Sequence, residues 1–389
     1  MQKKFSTIIL FSVLLFSFAL NGCQHNTETT SSTPAAITNE ATTENTAEDT
    51  SASSDTSNTN DVTPSLPDAD IDLLDEEKGL GITDKEQRKE MIAALGEETY
   101  WLGVFTAVQC INSQDCSMSP LTQTLEKAYG TDYVSEKVEI TSTFDGHTIP
   151  ADYILANGNQ NNDTIIFIHG AQENRRAFPE LIKIYLERGY NVLAYDQRSS
   201  GENLAPYCTF GFLEQYDLTQ YVEYVNNIIS DDKKLYVYAR SQSGCTVGRV
   251  LATPFGNENI DGAILDCALS SMYNIISARA ADYVEPENVE KYLGYGEKVL
   301  GYLFDGFTYD SCEMPQYYAK TTVPTLVLTC EEDTFVDKSM PISIYNAIPG
   351  KKYLYISEPS THCRIHECDP EKYTSLIDDF FSGALFNES

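Results

Sequence analysis

The sequence predicts an α/β fold, a mostly parallel sheet of eight strands flanked by helices, and three observations carry that prediction. Short apolar runs bounded by turn residues recur along the chain, as at Thr164–Ile168, Asn191–Tyr195, 262–265 and 323–330. Continuous runs of this kind suit strands buried on both faces, as in a parallel sheet sandwiched between helices. Residues at helical spacing stand between the runs: Val247, Val250 and Leu251 follow the strand-like Leu235 and Val237. Chemically active residues also fall where runs stop, with Ser241 after one, Asp333 after a second and His362 after a third. Open α/β sheets build their sites at that edge.

From the amino end, Lys3 and Lys4 precede an apolar stretch over residues 8–20, followed by Asn21, Gly22 and Cys23. The stretch is shorter than the ~20 residues needed to cross a bilayer, and its basic start marks a secretory signal. The ending Leu20-Asn21-Gly22-Cys23 resembles a bacterial lipoprotein signal, which implies removal of residues 1–22 and lipidation of Cys23. Two acyl chains anchor a protein stably where one does so marginally. Residues 24–66 are mostly Thr, Ser, Asn, Ala and acids, with no Lys or Arg. Such a segment cannot bury a core and is expected to be disordered, so residues 23–66 read as a tether. Residues 67–389 are long enough for one large core and read as one catalytic domain.

Within it, residues 67–135 read as a helical extension of unassigned role. Asp84 before 85–96 and Ser119-Pro120 before 121–129 look like helix starts. Ala93, Ala94, Leu95, Trp101, Leu102, Val104 and Phe105 are the packing candidates. Residues 138–143 and Thr148–Leu155 read as a hairpin around Asp145-Gly146, with His147 in its turn. Residues 268–322, between a strand end and the acid-bearing strand, read as a helical cap. It holds eight tyrosines, Tyr273 to Tyr318, most of them expected to pack the cap helices.

The break at Ala239-Arg240-Ser241-Gln242-Ser243-Gly244 turns a strand at once into a helix. In a nucleophile elbow of pattern G-x-S-x-G the serine occupies a strained turn, and the residues two before and two after must be small. Ala239 and Ser243 are small, though neither is glycine. Only two histidines, His362 and His366, follow Ser241. The chain resembles the α/β-hydrolase superfamily over residues 136–385, nearest bacterial esterases and acyl hydrolases related to cephalosporin deacetylase and serine aminopeptidase-like proteins. Four motifs carry the resemblance: Thr164 to Ile168 with His169-Gly170, Asp196-Gln197-Arg198-Ser199-Ser200-Gly201, Asp333-Thr334-Phe335-Val336, and Thr361-His362 with Asp369 to Tyr373. Ser199 replaces the usual glycine of the second motif.

The resemblance implies Ser241 as nucleophile, His362 as general base and Asp333 as the carboxylate that orients it. A serine hydroxyl needs an adjacent base to attack at neutral pH, and the base needs an anion to hold its tautomer. The backbone N–H groups of Ala171 and Gln242 are the implied oxyanion donors. Rivals remain: Ser243 as nucleophile, Asp266 as acid (otherwise a loop cap), and His366 as base (otherwise on an exposed turn). Glu332 and Asp337 read as solvated or capping, and His169 as structural beneath the oxyanion turn.

Formal net charge is −32, which argues against nucleic acid as a partner. No phosphate-cradling glycine loop, metal cluster or cofactor motif is evident, so neither a cofactor nor a metal is required. Ten cysteines, with Cys23 lipidated, leave an odd number, so at least one is unpaired or intermolecular. Cys245, Cys267 and Cys330 suit core packing. Cys110 with Cys116, and Cys363 with Cys368, are spaced for local disulfides. The expectation is a lipid-anchored serine hydrolase on the outer side of a bacterial cell membrane, cleaving a small-molecule, glycan or peptide ester. A peptidase with the same three residues and a noncatalytic surface binding protein are the alternatives.

Overall fold

The computed structural model describes residues 85–97, 99–100, 103, 121–205, 207–281 and 284–387. The leader, Cys23, the tether, Trp101, Leu102, Val104, Phe105, Cys110 and Cys116 lie outside them. No helix among the described residues is long and apolar enough to cross a membrane.

Helices α1 (Lys85–Leu95) and α2 (Leu125–Tyr129) precede the antiparallel pair β1 (Val134–Thr141) and β2 (Thr148–Leu155). There follow β3 (Thr164–Ile168), α3 (Pro179–Leu186), β4 (Asn191–Tyr195), α4 (Glu214–Asn226), β5 (Leu235–Arg240), α5 (Ser243–Leu251), α6 (Pro254–Asn259) and β6 (Gly262–Asp266). Helices α7 (Met272–Ala281), α8 (Pro286–Leu303) and α9 (Pro315–Tyr318) stand between β6 and β7 (Thr325–Cys330), before α10 (Ser339–Ala347), β8 (Lys352–Ser357), α11 (Ile365–Cys368) and α12 (Pro370–Ser382). The strands form one sheet in the order β1-β2-β4-β3-β5-β6-β7-β8. Pairing is antiparallel for β1–β2 and β2–β4 and parallel for the rest.

Strands β3 to β7 are buried along their whole length, whereas the edge strand β8 is half-buried. Alternation divides their side chains between two cores: Ile166, Ile168, Val237 and Leu265 face one, and Ile165, Phe167, Tyr238 and Ile264 the other. The order reverses at β3 and β5, with β4 on one side and β6 on the other. That switch point opens a crevice at the carboxyl ends of the strands.

The amino-terminal expectations need correcting. The helix expected over 121–129 begins only at Leu125, because Thr124 supplies the cap by accepting the Lys127 N–H at 3.2 Å. In α1, Ala93 and Ala94 are exposed and Met91 is fully buried. β1 starts four residues earlier than the hydrophobic pattern marks, at Val134, in register with Leu155. Of the tyrosines between β6 and β7, Tyr309 and Tyr318 are buried and Tyr302 is 40% exposed.

Two buried ionic clusters hold the first loops to the sheet. Asp152 on β2 accepts from Arg175 Nε at 2.9 Å and Arg176 Nη2 at 2.8 Å, and Arg175 also pairs with Asp196 and Glu202. Gly201, at φ +53°, passes so close to the Asp196 carboxyl group that a Cβ there would collide with it. Ser199, at φ +58°, takes up the left-handed turn where glycine is usual. His147 is more than a turn residue. Its Nδ1 lies 2.5 Å from Asp145, its Nε2 lies 3.3 Å from Asp217 on α4, and Arg198 pairs with both carboxylates.

Two predictions follow from these clusters. Asp152→Ala leaves two buried guanidinium groups short of an anion and should cost about 3–5 kcal/mol, read as a lower midpoint in urea denaturation. For His147, burial lowers the pKa, but Asp217 and Asp145 outweigh it and the net shift is upward from 6.5. A raised folded-state pKa stabilises fully below the unfolded value and is lost as pH rises through the folded one. Denaturation midpoints should therefore fall on going from pH 6 to alkaline pH, and His147→Gln should flatten that slope.

Candidate active site

β5 ends at Arg240 and α5 begins at Ser243, so the chain reverses character within two residues. Ser241 between them has φ +55°, a left-handed conformation that costs a residue with a Cβ about 1–2 kcal/mol. Three main-chain bonds hold it: Ser241 N–H to Asp266 O at 2.8 Å, and the N–H groups of Leu269 and Gly244 to Ser241 O at 3.0 and 3.1 Å. The need for small neighbours is visible. A Cβ on Gly244 would stand 2.6 Å from Ala268 Cβ, and Ala239 and Ser243 are fully buried. The Ser243 hydroxyl accepts from Arg240 N–H at 2.7 Å and reaches Ile168 O at 3.0 Å. Buried and bonded, it cannot take the nucleophile's place.

Ser241 Oγ lies 3.0 Å from His362 Nε2, and His362 Nδ1 lies 2.6 Å from Asp333 Oδ2. The other oxygen of Asp333 accepts the N–H groups of Phe335 at 2.8 Å and Val336 at 2.9 Å. Burial raises the Asp333 pKa, but His362 and these N–H groups outweigh it and hold the carboxyl below its ordinary value. An ionised Asp333 fixes the proton on Nδ1 and leaves Nε2 to accept from the serine hydroxyl. The ring of Phe335 packs 5.5 Å from the imidazole, centroid to centroid. For His362, burial lowers the pKa while Cys363 and Asp333 raise it, and the net shift is upward.

The turn after β3 lies against the serine, since a Cβ on Gly170 would stand 3.3 Å from both Ser241 Cβ and Arg240 O. The Gly170 N–H donates to Glu173 Oε2 at 2.6 Å, so Ala171 carries the next N–H of that turn. Gln242 is the N-cap residue of α5, where helix N–H groups have no acceptor within the helix. His169 lies beneath: its Nδ1 is 2.7 Å from Gly170 O, and its Nε2 accepts the Gln197 N–H at 3.0 Å.

The rivals go elsewhere. Asp266 accepts from the Tyr238 hydroxyl at 2.5 Å instead of capping a loop. The His366 side chain is only 7% exposed and packed against Tyr373, not on an exposed turn, and the serine hydroxyl meets His362 instead. Glu332 is exposed, and Asp337 accepts the Ser339 N–H at 2.9 Å. No disulfide joins Cys363 to Cys368: both are free, the first buried and the second exposed.

One functional pair escaped the sequence reading. Arg240, buried just before the serine, donates from Nε to Glu173 at 3.1 Å and from Nη1 to Cys363 O at 2.7 Å, and its guanidinium stacks 3.9 Å over Phe178. One side chain thus ties the elbow to the turn after β3 and to the loop of His362. A charged residue closing an apolar strand was the available signal.

A family model described as "alpha/beta hydrolase fold" matches residues 163–300. A Bacillus subtilis protein named "Uncharacterized protein YqkD" is 23% identical over 223 residues, 57% of this chain and 72% of its own. Among solved structures, the Pyrococcus furiosus esterase Pf2001 is similar in one crystal form at TM-score 0.53 and 20% identity, covering 67% of this chain and 94% of that one. A second crystal form gives TM-score 0.52 at 20% identity, covering 68% and 96%.

Replacing Arg240 by Met keeps much of its stem packing but removes its hydrogen bonds to Glu173 and Cys363. If the chain turns over a chromogenic ester, kcat should fall about 10–100-fold, because the bonds position groups used after binding. Arg240→Lys should recover only part, since an ammonium cannot copy the planar fork.

Proposed function

We propose that this chain, which has the α/β-hydrolase fold, is a serine hydrolase acting on carboxylic esters through an acyl-enzyme. The observation that carries the reading is the continuous hydrogen-bonded row Ser241, His362, Asp333. The Ser241 oxygen attacks the ester carbonyl carbon as His362 Nε2 takes its proton, and Asp333 stabilises the imidazolium that results. The oxyanion is met by the backbone N–H groups of Ala171 and Gln242, each donor worth about 3–4 kcal/mol of barrier. His362 then delivers its proton to the departing alkoxide. Water, deprotonated by the same nitrogen, attacks the acyl carbon and releases Ser241. An alkoxide leaves more easily than an amine, so esters require nothing beyond these groups.

We further propose that Cys23 is lipidated and holds the enzyme on the outer face of a bacterial membrane, with residues 24–66 as spacer. The basis is the leader pattern in the sequence.

A fluorophosphonate probe should label the protein, and Ser241→Ala should abolish labelling and lower ester turnover by at least about 10⁴-fold. Asp333→Asn should lower kcat by a similar order through the wrong tautomer. An unlabelled parent protein would favour a noncatalytic binder. Faster cleavage of aminoacyl anilides than of p-nitrophenyl acetate would make it a peptidase. Cys23→Ala should move the protein from the membrane fraction to the soluble one.

A further inference from the structure

Two strand ends and the loop that carries His362 bring three buried thiols together. Cys267 follows β6, Cys330 closes β7 and Cys363 follows His362 directly, and none has measurable exposure. Cys267 Sγ lies 3.6 Å from Cys330 Sγ and accepts the Cys363 N–H at 3.2 Å. Cys330 Sγ is 3.0 Å from Thr361 O, and Cys363 Sγ is 3.4 Å from Asp266 O. The ligand atoms of Cys267, His362 and Cys363 all fall within 4.8 Å of one another. Cys267 and Cys363 also have positive φ, +50° and +54°, strain that proteins keep where surrounding structure over-determines it. Plain core packing needs neither the strain nor the convergence on an imidazole.

We propose that Cys267, Cys363 and His362 form a site for one thiophilic cation of the Zn²⁺ or Cd²⁺ class, and that filling it silences the enzyme. Tetrahedral thiolate sites have metal–sulfur distances of about 2.3 Å and metal–nitrogen distances of about 2.0–2.1 Å, so their ligand atoms stand roughly 3.3–3.8 Å apart. The three ligand atoms already lie within 4.8 Å of one another, so the contraction needed is about 1 Å. Thiolate and imidazole donors select soft ions over the hard ions that carboxylates hold. Two thiols release two protons to solvent as the divalent ion binds, so ion plus thiolates is neutral overall and can stay buried. Both nitrogens of His362 are in use, one on Asp333 and one on Ser241. Whichever nitrogen the metal takes, one of those bonds breaks. Binding is independent of the hydrolase reading, and only the silencing rests on it.

Cd²⁺ serves as probe, added to the reduced full chain with excess Mg²⁺ to occupy surface carboxylates. The expected result is a sulfur-to-cadmium charge-transfer band saturating at one equivalent, retained in Cys368→Ala and lost in Cys267→Ala combined with Cys363→Ala. Fluorophosphonate labelling of the parent should slow at least about tenfold with Cd²⁺, recover with a chelator, and stay unchanged by Cd²⁺ in the double variant. Absence of the band in the parent, or the same band in a folded double variant, overturns the site. Should the double variant not fold, Cys363→Ser alone is expected to weaken cadmium binding at least about tenfold, and unweakened binding overturns the site equally. A saturated band with unslowed labelling overturns the silencing. A parent that never reacts with the probe defeats the hydrolase reading, and the band still decides the site.

Discussion

The left-handed turn at Ser241 is the constraint from which the rest of the site is built. Its cost of about 1–2 kcal/mol is offset by main-chain bonds to Asp266 and Leu269, and those bonds exist because β5 and β6 pair in parallel register, Arg240 opposite Asp266. The turn lifts the serine side chain clear of the sheet. It also starts α5 at once, the Gly244 N–H returning to Ser241 O at 3.1 Å. A more relaxed backbone would merge strand into loop and let the hydroxyl drop toward the sheet, as that of Ser243 does.

Around that turn the molecule uses four buried arginines that meet carboxylates. Arg240 meets Glu173 and a carbonyl of the histidine loop, Arg175 and Arg176 meet Asp152, and Arg198 meets Asp145 and Asp217. Unpaired, such charges would cost several kcal/mol apiece. Paired, they join loops that arrive from distant parts of the chain, which apolar contacts would position with less directional precision.

The thiols under the histidine loop add a second chemistry to the same few ångströms. Sulfur in a core is ordinarily an apolar filler. Here it adjoins a ring whose two nitrogens are both committed, so whatever binds there must compete with the serine or the aspartate.

The sequence by itself determined the alternation of buried runs and amphipathic stretches, hence the layered sheet, and the order in which serine, acid and histidine appear. These are local properties: periodicity is set by side-chain direction along a strand or helix, and it survives without knowledge of neighbours. Where periodicity weakened, as in the short helix that begins at Leu125 and the early start of β1, the pattern misjudged the ends because cap bonds and strand register decide them. Only the tertiary structure decided that Ser241 and not Ser243 faces His362, that Asp266 bonds a tyrosine, and that Arg240 braces three loops. Those outcomes depend on distances between residues up to 123 positions apart, and they arise when β3, β5, β6, β7 and β8 lie side by side, because hydrogen bonds and charge pairs reach only a few ångströms.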